Sequence, residues 1–424
     1  MNKTLIIDGN YFAHRCLGIC NINNQNHLQT PLEIDEFKNA LDNQLTRLWE
    51  GLSRFCDNII LVSDDYSWRR QPMFIETYRP YYLKNDTETL IGYKEQRAKL
   101  HEESETDYKV FYQVYQEWIN RLMKLFNQEY YGLKVIKVPS LEGDDIIQLV
   151  TDMYKDVFFV VFATDIDLVQ TVYDNVMLYR QIRKTNKNLN GGVNGEVIIS
   201  YNTFNKHIKH FLKDSFIEEK QNNIDELINR SVSATDDIFK LTKINTSKEY
   251  INRNIGHGIV LADIPYIMVS KIVCGDKSDN IFPLIRWFVG SRKYSISENM
   301  LDKAIDNMEK ISNTKIKYSD ILDKILKRDN DFLISFIKNL IGVSKDNSNP
   351  DEKEILRHLY HNFKLIYIKG NIPENRVDEF MTLQKNININ FDKKISVEKL
   401  SEILQPETEI LNDAATEIML KSLL

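Results

Sequence analysis

The segment LKVIKVPSLEGDDIIQLV, residues 133–150, consists of an apolar run, a cluster of acids and a second apolar run. Its apolar first part, residues 133–138, predicts a buried strand, and the apolar strip at its end predicts another buried element. Three acids, Glu142, Asp144 and Asp145, are crowded between them. Two unit charges about 4 Å apart repel by roughly 4 kcal/mol at an effective dielectric constant near 20. The crowding therefore requires a compensating positive group: a helix N-terminus, a nearby Arg or Lys, or a bound cation.

The same order, an apolar strand followed by acids, occurs three more times in the first half of the chain. The acids that follow are Asp8 after residues 3–7, Asp64 and Asp65 after residues 58–63, and Asp165 and Asp167 after residues 157–163. Asp64 and Asp65 are adjacent, so either could be the functional acid. Asp64 is preferred because it comes first after its strand.

Two segments between these strands have apolar residues at helical spacing. Apolar residues recur at steps of three and four from Ile34 to Phe55 and again from Phe111 to Leu125, which predicts two amphipathic helices. Strands that alternate with helices predict an α/β fold, with a mostly parallel sheet and helices on both of its faces. Ligands of open α/β sheets bind at the carboxyl ends of the strands, which is where these acids are expected.

The pattern changes near residue 195, which we take as the end of the α/β core, residues 1–195. The segments after it are predicted to be a polar, mostly helical insertion at 196–260, a helical region with basic interruptions at 261–343, a linker at 344–352 and a small helical C-terminal region at 350–424. The sequence contains no internal repeat and no low-complexity segment.

A fifth acid cluster, in CGDKSDNI at residues 274–281, contributes Asp276 and Asp279. Any one cluster could instead be a turn, a helix cap or a polar loop, and an Asp-x-Asp pair also occurs in metal-dependent glycosyltransferases. Several clusters that agree in their placement at strand ends favour one shared site. The predicted ligand set is Asp8, Asp64, Glu142, Asp144, Asp145, Asp165, Asp167, Asp276 and Asp279.

Carboxylates in this number, without His or Cys, favour Mg²⁺ or Mn²⁺ over zinc. Mg²⁺ usually takes one or two protein carboxylates and keeps its waters, so this set suits two ions with outer-shell partners. Two ions about 3.5–4 Å apart suit in-line attack of water on a phosphodiester. Bound cations would then compensate the crowding of Glu142, Asp144 and Asp145.

Basic and aromatic residues are interleaved in three segments, which is typical of contact with single-stranded nucleic acid. The alternative for such a composition is a solvated helix face that its tyrosines anchor to the core. The segments are residues 67–85 with Arg69 and Arg70, residues 92–99 with Tyr93, Lys94 and Arg97, and residues 285–293 with Arg292 and Lys293.

Composition limits the class of protein. The net charge of −6 argues against nucleic-acid binding if taken alone, but the remainder is mildly basic once the predicted ligands are set aside. The four cysteines form no Cys-x-x-Cys pair, so we expect no zinc site, no disulfide framework and a reducing cytoplasmic setting. We expect neither a membrane span nor a secretory signal, because the chain lacks an apolar stretch of about 18 residues and its N-terminus lacks a long apolar centre.

Together these motifs resemble the 5′-nuclease superfamily of flap endonucleases and 5′→3′ exonucleases, and among its members most resemble the RNase H of T-even phages. The matching segments occur in the family's order between residues 5 and 281: LIIDGN, SWRR, YKEQR, LEGDD, ATDIDLVQ and GDKSDNI. The resemblance implies a PIN-like core with two divalent metals, a helical arch at about residues 67–118 and a helix–three-turn–helix element within 261–343.

The resemblance also implies roles for single residues. Asp8, Asp64, Glu142 and Asp144 would hold the first metal, Asp165, Asp167, Asp276 and Asp279 would hold or orient the second, and Asp144 or Asp145 would help to bridge the two. Lys94 and Arg97 would lie on the arch near the scissile phosphate, and Arg69 and Arg70 would contact phosphate near its base. A lone Gly290 stands where the family often has a Gly-x-Gly hairpin, so a K⁺ site is not expected.

The predicted function is a Mg²⁺-dependent 5′-nuclease, in which Mn²⁺ can substitute, acting on 5′ flaps, duplex 5′ ends and RNA–DNA hybrids to remove primers in replication. The alternative is a catalytically inactive, structure-specific DNA-binding scaffold of the same fold. Residues 359–380 resemble the phage enzyme's C-terminal region, which implies contact with a single-stranded-DNA-binding protein. We expect a monomer in the cytoplasm, that of the host if the protein is phage-encoded.

Overall fold

The structure is a computed structural model that describes most of the core and of the C-terminal half. The described residues are 2–24, 26–53, 55–75, 77–83, 92–127, 132–172, 175–183, 193–199, 242–244, 259–261, 264–289, 291–344, 350–387, 389 and 391–404. No helix among them is long and apolar enough to cross a membrane. The predicted linker, residues 344–352, and the position of Gly290 lie wholly or partly outside these ranges.

Five parallel strands form the central part of the sheet. They are Lys3–Asp8 (β1), Asn58–Ser63 (β2), Leu133–Lys137 (β3), Phe158–Phe162 (β4) and Val176–Arg183 (β5). Their order is β3-β2-β1-β4-β5, so that Ile6 in the middle pairs with Ile60 on one side and Val161 on the other. The predicted α/β fold with a mostly parallel sheet is confirmed, and β1 to β4 coincide with the four predicted strands.

Three short strands extend the sheet beyond β5. They are Val193–Ile199 (β6), Thr242–Ile244 (β7) and Ile259–Leu261 (β8). β6 is antiparallel to β5, β8 is parallel to β6, and β7 is antiparallel to β8. The described parts of residues 196–260 are therefore strands, because short apolar runs such as residues 259–261 find a partner in β6. The mostly helical character of this insertion stays a prediction. The rest of that segment lies outside the described residues.

Helices cover both faces of the sheet. In the first part of the chain they are Gly9–Asn24 (α1), Pro31–Leu52 (α2), Glu95–Glu102 (α3), Tyr108–Phe126 (α4), Gly143–Met153 (α5) and Ile264–Cys274 (α6). Successive residues of a strand point to opposite faces. Leu5 and Ile7 accordingly pack with α1, α2 and α4, whereas Ile6 packs with α5 and α6. The two predicted amphipathic helices correspond to α2 and α4.

The C-terminal half consists of a hairpin and further helices. These are Arg286–Val289 (β9), Arg292–Ser295 (β10), Glu298–Ser312 (α7), Tyr318–Lys327 (α8), Asn330–Val343 (α9), Glu352–Ile366 (α10), Glu374–Ile387 (α11) and Val397–Leu404 (α12). Residues 286–295 are thus a hairpin within the region predicted as helical, and the cross-strand pair Trp287–Tyr294 stacks its rings there. α10 packs on α6 and α9, and α12 packs on α2.

Candidate metal centre and nucleic-acid cleft

A cleft of about 570 Å³ opens at the carboxyl edge of the parallel strands. Acids from four of the predicted clusters and Asp276 from the fifth line it, as expected for ligands at this edge of an open α/β sheet. The lining residues are Asp8, Asn10, Tyr11, His14, Asp64, Lys94, Arg97, His101, Tyr112, Glu142, Asp144, Thr164, Asp165, Ile166, Arg180, Lys271, Asp276 and Ser278.

Asp64, rather than Asp65, is the acid of the second strand that faces the cleft. Its Oδ1 accepts a 2.6 Å hydrogen bond from the Gly143 backbone N–H, and its Oδ2 accepts a 2.8 Å bond from Asn10. A side chain at Gly143 would place Cβ 2.9 Å from Asp64 Oδ1, so this close approach requires glycine. Asp65 instead accepts a hydrogen bond from the Ser140 backbone, outside the cleft lining.

The first helical turn of α5 divides its acids between two roles. Asp144 lines the cleft, and burial together with Asp165 and Asp8 raises its pKa well above the usual value. Asp145 is fully buried outside the cleft lining, and at position N3 of the helix its Oδ2 accepts a hydrogen bond from the Glu142 backbone N–H. Its carboxylate accepts hydrogen bonds from Trp68 Nε1 at 3.0 Å and from both terminal nitrogens of the Arg69 guanidinium.

Arg69 is buried with these acids, with only 4% of its surface exposed. It forms ion pairs with Asp145 (2.7 Å) and Glu142 (2.9 Å), and its Nε donates to the carbonyl of Leu365. The structure thus gives Arg69 a partner on every side, which does not match the predicted phosphate contact. Asp145 likewise does not match the predicted metal ligand, since Arg69 and Trp68 occupy its oxygens. Arg69 thus compensates two of the three crowded acids, Glu142 and Asp145.

Asp165, Asp167 and Asp279 form a compact group of carboxylates. One oxygen from each lies within 4.8 Å of the other two, a spacing that suits a shared metal ion. Asp165 accepts a 2.9 Å hydrogen bond from the Asp167 backbone at the start of the short 3₁₀ turn Ile166–Thr171. Burial raises the pKa of Asp167 to about 7 and also raises that of Asp279. Groups held in this way favour either a proton or a cation.

Lys271, which the sequence analysis missed, lies between two of these acids. Its Nζ is 2.5 Å from Asp167 Oδ1 and 2.7 Å from Asp276 Oδ2. Although burial opposes the charge, the neighbouring carboxylates raise the pKa of Lys271 above its ordinary value. Although burial acts against it, Lys271 and the hydrogen bonds from Ser278 lower the pKa of Asp276. The available signal was a lone cation inside the apolar helix IPYIMVSKIVC, because a buried lysine needs an anionic partner.

The residues of the predicted arch meet the same carboxylates. Lys94 places Nζ 2.5 Å from Glu142 Oε1, and Arg97 lies 2.5 Å from Asp279 Oδ1. The Tyr93 hydroxyl lies 3.3 Å from Glu142 Oε2 and 3.4 Å from Asp279 Oδ2. Tyr93, Lys94 and Arg97 therefore lie at the base of α3 and cover the rim of the cleft.

Burial and neighbouring charge determine the protonation of Asp8, Asp64 and Glu142. Burial and the carboxylate of Asp64 raise the pKa of Asp8 to about 7. Although burial acts against it, Lys94 and Arg69 lower the pKa of Glu142 to about 2. Glu142 is therefore a fixed anion, whereas Asp8 and Asp64 are poised to ionise when positive charge arrives.

The remaining predicted substrate contacts lie on the surface. Arg70 is exposed beside the ring of Tyr66, and Arg292 and Lys293 are exposed on β10. The aromatic residues of residues 67–85 do not form a stacking platform, because Trp68 is buried and the hydroxyls of Tyr78 and Tyr82 donate to the carbonyls of Glu354 and Pro283. The alternative, aromatics that anchor the segment to the core, is what the structure shows for these three.

The donor set fits divalent metal ions. The described acids offer carboxylate oxygens, the ligands that Mg²⁺ and Mn²⁺ prefer. Several are buried with raised pKa values, which is the state expected of ligands without their cation. Lys94, Arg97 and Lys271 supply positive charge to the same oxygens.

Comparison with known proteins gives structural matches alone: no family model matches the sequence, and no curated protein matches it. A solved structure of the bacteriophage T5 5′-exonuclease with zinc bound aligns with 13% identity and a TM-score of 0.42, covering 92% of this chain and 100% of the other. A T5 flap endonuclease in a pseudo-enzyme–product complex with DNA and metal ions aligns with 13% identity and a TM-score of 0.43 over the same shares. The finer resemblance to the T-even RNase H stays a prediction.

Proposed function

We propose that this protein is a divalent-metal-dependent 5′-nuclease that hydrolyses phosphodiester bonds in 5′ flaps, duplex 5′ ends and RNA–DNA hybrids. The observation that carries the proposal is the convergence of oxygens of Asp165, Asp167 and Asp279 within 4.8 Å of one another. Asp165 lines the same cleft as Asp8, Asp64 and Asp144. Such a density of buried carboxylates is costly unless cations compensate it.

Two groups of acids would each hold an ion, which we expect to be Mg²⁺ with Mn²⁺ as a substitute. Asp8, Asp64, Glu142 and Asp144 form the first group, and Asp165, Asp167, Asp276 and Asp279 form the second. Asp145 is left out because its oxygens are bound to Arg69 and Trp68. Glu142 stays in the first group as the fixed anion that Lys94 and Arg69 hold at the cleft. When bound, such ions activate water and stabilise the leaving oxygen of a phosphodiester.

The cations of the cleft would then act on the substrate. Lys94 and Arg97 extend from the base of α3 over the rim, where a scissile phosphate would meet the carboxylates. Their positive charge would count most where negative charge develops during the reaction. Lys271 offsets the repulsion between the carboxylates of Asp167 and Asp276, because its ammonium group is paired with both. Exposed Arg70, Arg292 and Lys293 would contact phosphates further along the nucleic acid.

The broader setting follows from this activity. We propose a role in removing primers during replication, in the cytoplasm of the cell that replicates the DNA, and action as a monomer. Contact of the C-terminal region with a single-stranded-DNA-binding protein belongs to the same proposal.

A cleavage assay tests the proposed function. A 5′-labelled flap DNA and an RNA–DNA hybrid are incubated with the protein in Mg²⁺ and, separately, in EDTA. Short 5′ products in Mg²⁺ alone are expected. Stoichiometric binding of either substrate with no product in Mg²⁺ or Mn²⁺ would contradict the proposal and favour an inactive DNA-binding scaffold.

A further inference from the structure

Three buried polar side chains join one helix, α10, to the three loops that carry most of the proposed ligands. They are Arg69, Gln170 and Asn362, which are 4%, 1% and 1% exposed. Burying a polar side chain costs free energy unless each donor and acceptor finds a partner. Their partners therefore show what the chain gains by burying them.

Arg69 connects α10 to the loop before α5. Its Nε donates a 3.1 Å hydrogen bond to the carbonyl of Leu365 in the last turn of α10. Its terminal nitrogens hold Glu142 and Asp145. One guanidinium thus fixes the distance between the end of α10 and the Glu142 carboxylate.

Gln170 connects the next carbonyl of the same helix to the turn that carries Asp165 and Asp167. Its Nε2 donates to the carbonyl of Ile366 at 3.0 Å and to that of Asp167 at 2.8 Å. Its Oε1 accepts a 2.7 Å hydrogen bond from the Ile368 backbone N–H. Both polar atoms of the amide are therefore bonded, and their bonds run between the end of α10 and the turn that carries Asp165 and Asp167.

Asn362, one turn earlier on α10, reaches the element that carries the last two acids. Its Nδ2 donates to the carbonyl of Ile272 in α6 at 2.9 Å and to that of Phe282 at 2.8 Å. These two carbonyls flank the loop that presents Asp276 and Asp279. The bond partners thus span both ends of that loop.

We propose that the end of α10 and the two residues after it, residues 362–368, are the frame that positions both groups of metal ligands. Arg69, Gln170 and Asn362 are its positioning residues. The carbonyls at a helix C-terminus lack partners within the helix, so they are available to side chains from elsewhere. Here the carbonyls of Leu365 and Ile366 accept from the side chains that hold two of the loops, and the Asn362 side chain donates to the third. The inference rests on the proposed function, since it concerns how the same site is held together.

This frame assigns the C-terminal region a part in the site itself. Residues 353–368 then belong to the nuclease core, although they follow the predicted linker in sequence. Removing a side chain that supports a metal ligand typically weakens metal affinity by about 10–100-fold.

Metal binding without nucleic acid tests the frame. Mn²⁺ affinity is measured by electron paramagnetic resonance of the free ion, alongside thermal unfolding in EDTA, for wild type and Gln170→Leu. Asn371→Leu is the matched control, because Asn371 donates to the carbonyls of Phe363 and Tyr367 at the same helix end but contacts none of the acid-bearing loops in the described structure. Gln170→Leu is expected to weaken Mn²⁺ binding at least about tenfold, and the control to leave it within about twofold.

Two further variants guard against misfolding. Gln170→Asn shortens the same side chain by one methylene, and Asn362→Ala cuts the link to the other loop. Each variant is expected to be folded at the temperature of the Mn²⁺ measurement, as its thermal unfolding will show, and to bind Mn²⁺ more weakly than wild type. Folded variants with wild-type Mn²⁺ affinity would overturn the frame while leaving the proposed function intact. Failure of the wild-type protein to bind Mn²⁺ would instead overturn the proposed function.

Discussion

The ammonium nitrogen of Lys94 lies 2.5 Å from Oε1 of Glu142, and its backbone N–H donates a 3.0 Å hydrogen bond to the carbonyl of Asp279. One residue therefore joins the loop of the first acid group to that of the second. Although burial opposes it, Glu142 raises the pKa of Lys94 well above its ordinary value, so the charge is permanent at neutral pH.

Lys94→Ala is expected to reduce the cleavage rate by about 10²–10³-fold, as expected when a charge that stabilises the transition state is lost. Affinity for flap DNA should fall far less. The measurements are single-turnover cleavage and equilibrium binding, with Lys99→Ala, an exposed lysine of the same helix, as the control. Equal losses of rate and affinity would make Lys94 an ordinary phosphate contact.

The adjacent acids Asp64 and Asp65 give a second matched pair. Asp64→Asn should abolish most cleavage, because Asp64 faces the cleft beside Gly143 and Asn10. The loss should exceed the about 10–100-fold typical of outer-shell changes. Asp65→Asn should retain near-wild-type cleavage, since Asp65 bonds to the Ser140 backbone outside the cleft. The reverse order of activities would exchange the two residues in the ligand set.

The raised pKa values of Asp8 and Asp167 predict a pH-dependent effect of metal. Folding raises both pKa values from 3.8 to about 7, so the metal-free protein binds protons when it folds. Its free energy of unfolding therefore falls as the pH rises through the window between these two values. Metal needs the deprotonated acids, so stabilisation by Mn²⁺ should be small below this window and large above pH 7.

Thermal unfolding with Mn²⁺ and with EDTA, at pH values on both sides of this window, measures that effect. Asp167→Asn should flatten the pH dependence of the metal-free protein, because it removes one of the two titrating groups. A metal-induced shift in Tm that is the same at every pH would contradict the assignment of Asp8 and Asp167 as ligands.

Alanine variants of the neighbouring residues Arg69 and Arg70 are expected to differ: the first should lose stability and the second should lose affinity for DNA. Arg69→Ala leaves Glu142 and Asp145 buried without their partner, which should destabilise the protein by about 3–5 kcal/mol. Arg70→Ala changes an exposed side chain and should stay within about 0.5 kcal/mol of wild type while weakening DNA binding. Urea unfolding and DNA-binding measurements on both variants test this division. A wild-type unfolding midpoint for Arg69→Ala would show that the buried ion pairs contribute no stability.

The parallel core was predictable because its signals are local. Each strand is a short apolar run, and its acid comes directly after it, so β1 to β4 and the position of Asp8, Asp64, Glu142 and Asp165 at one edge follow from sequence order. The choice of Asp64 over Asp65 also agrees with the geometry. Strand β5 was not predicted, because its residues 176–183 mix apolar and basic side chains without a clear period.

The surroundings of Asp145, Arg69 and Lys271 depend on contacts between distant parts of the chain. The sequence run of Asp144 and Asp145 does not show that one faces the cleft and the other faces Arg69, because this depends on where Arg69 packs. The carbonyl of Leu365 that fixes Arg69 lies 296 residues away in sequence. Lys271 was missed for the same reason, since its partner Asp167 is 104 residues away.

Anomalous diffraction from crystals soaked in Mn²⁺ tests the central claim most directly, because it locates each ion without any assay of activity. The account predicts a strong anomalous peak bounded by the carboxylates of Asp165, Asp167 and Asp279, and a second peak near Asp8, Asp64 and Asp144. No peak at either place, with Lys94, Arg97 and Lys271 still paired to the same oxygens, would contradict it.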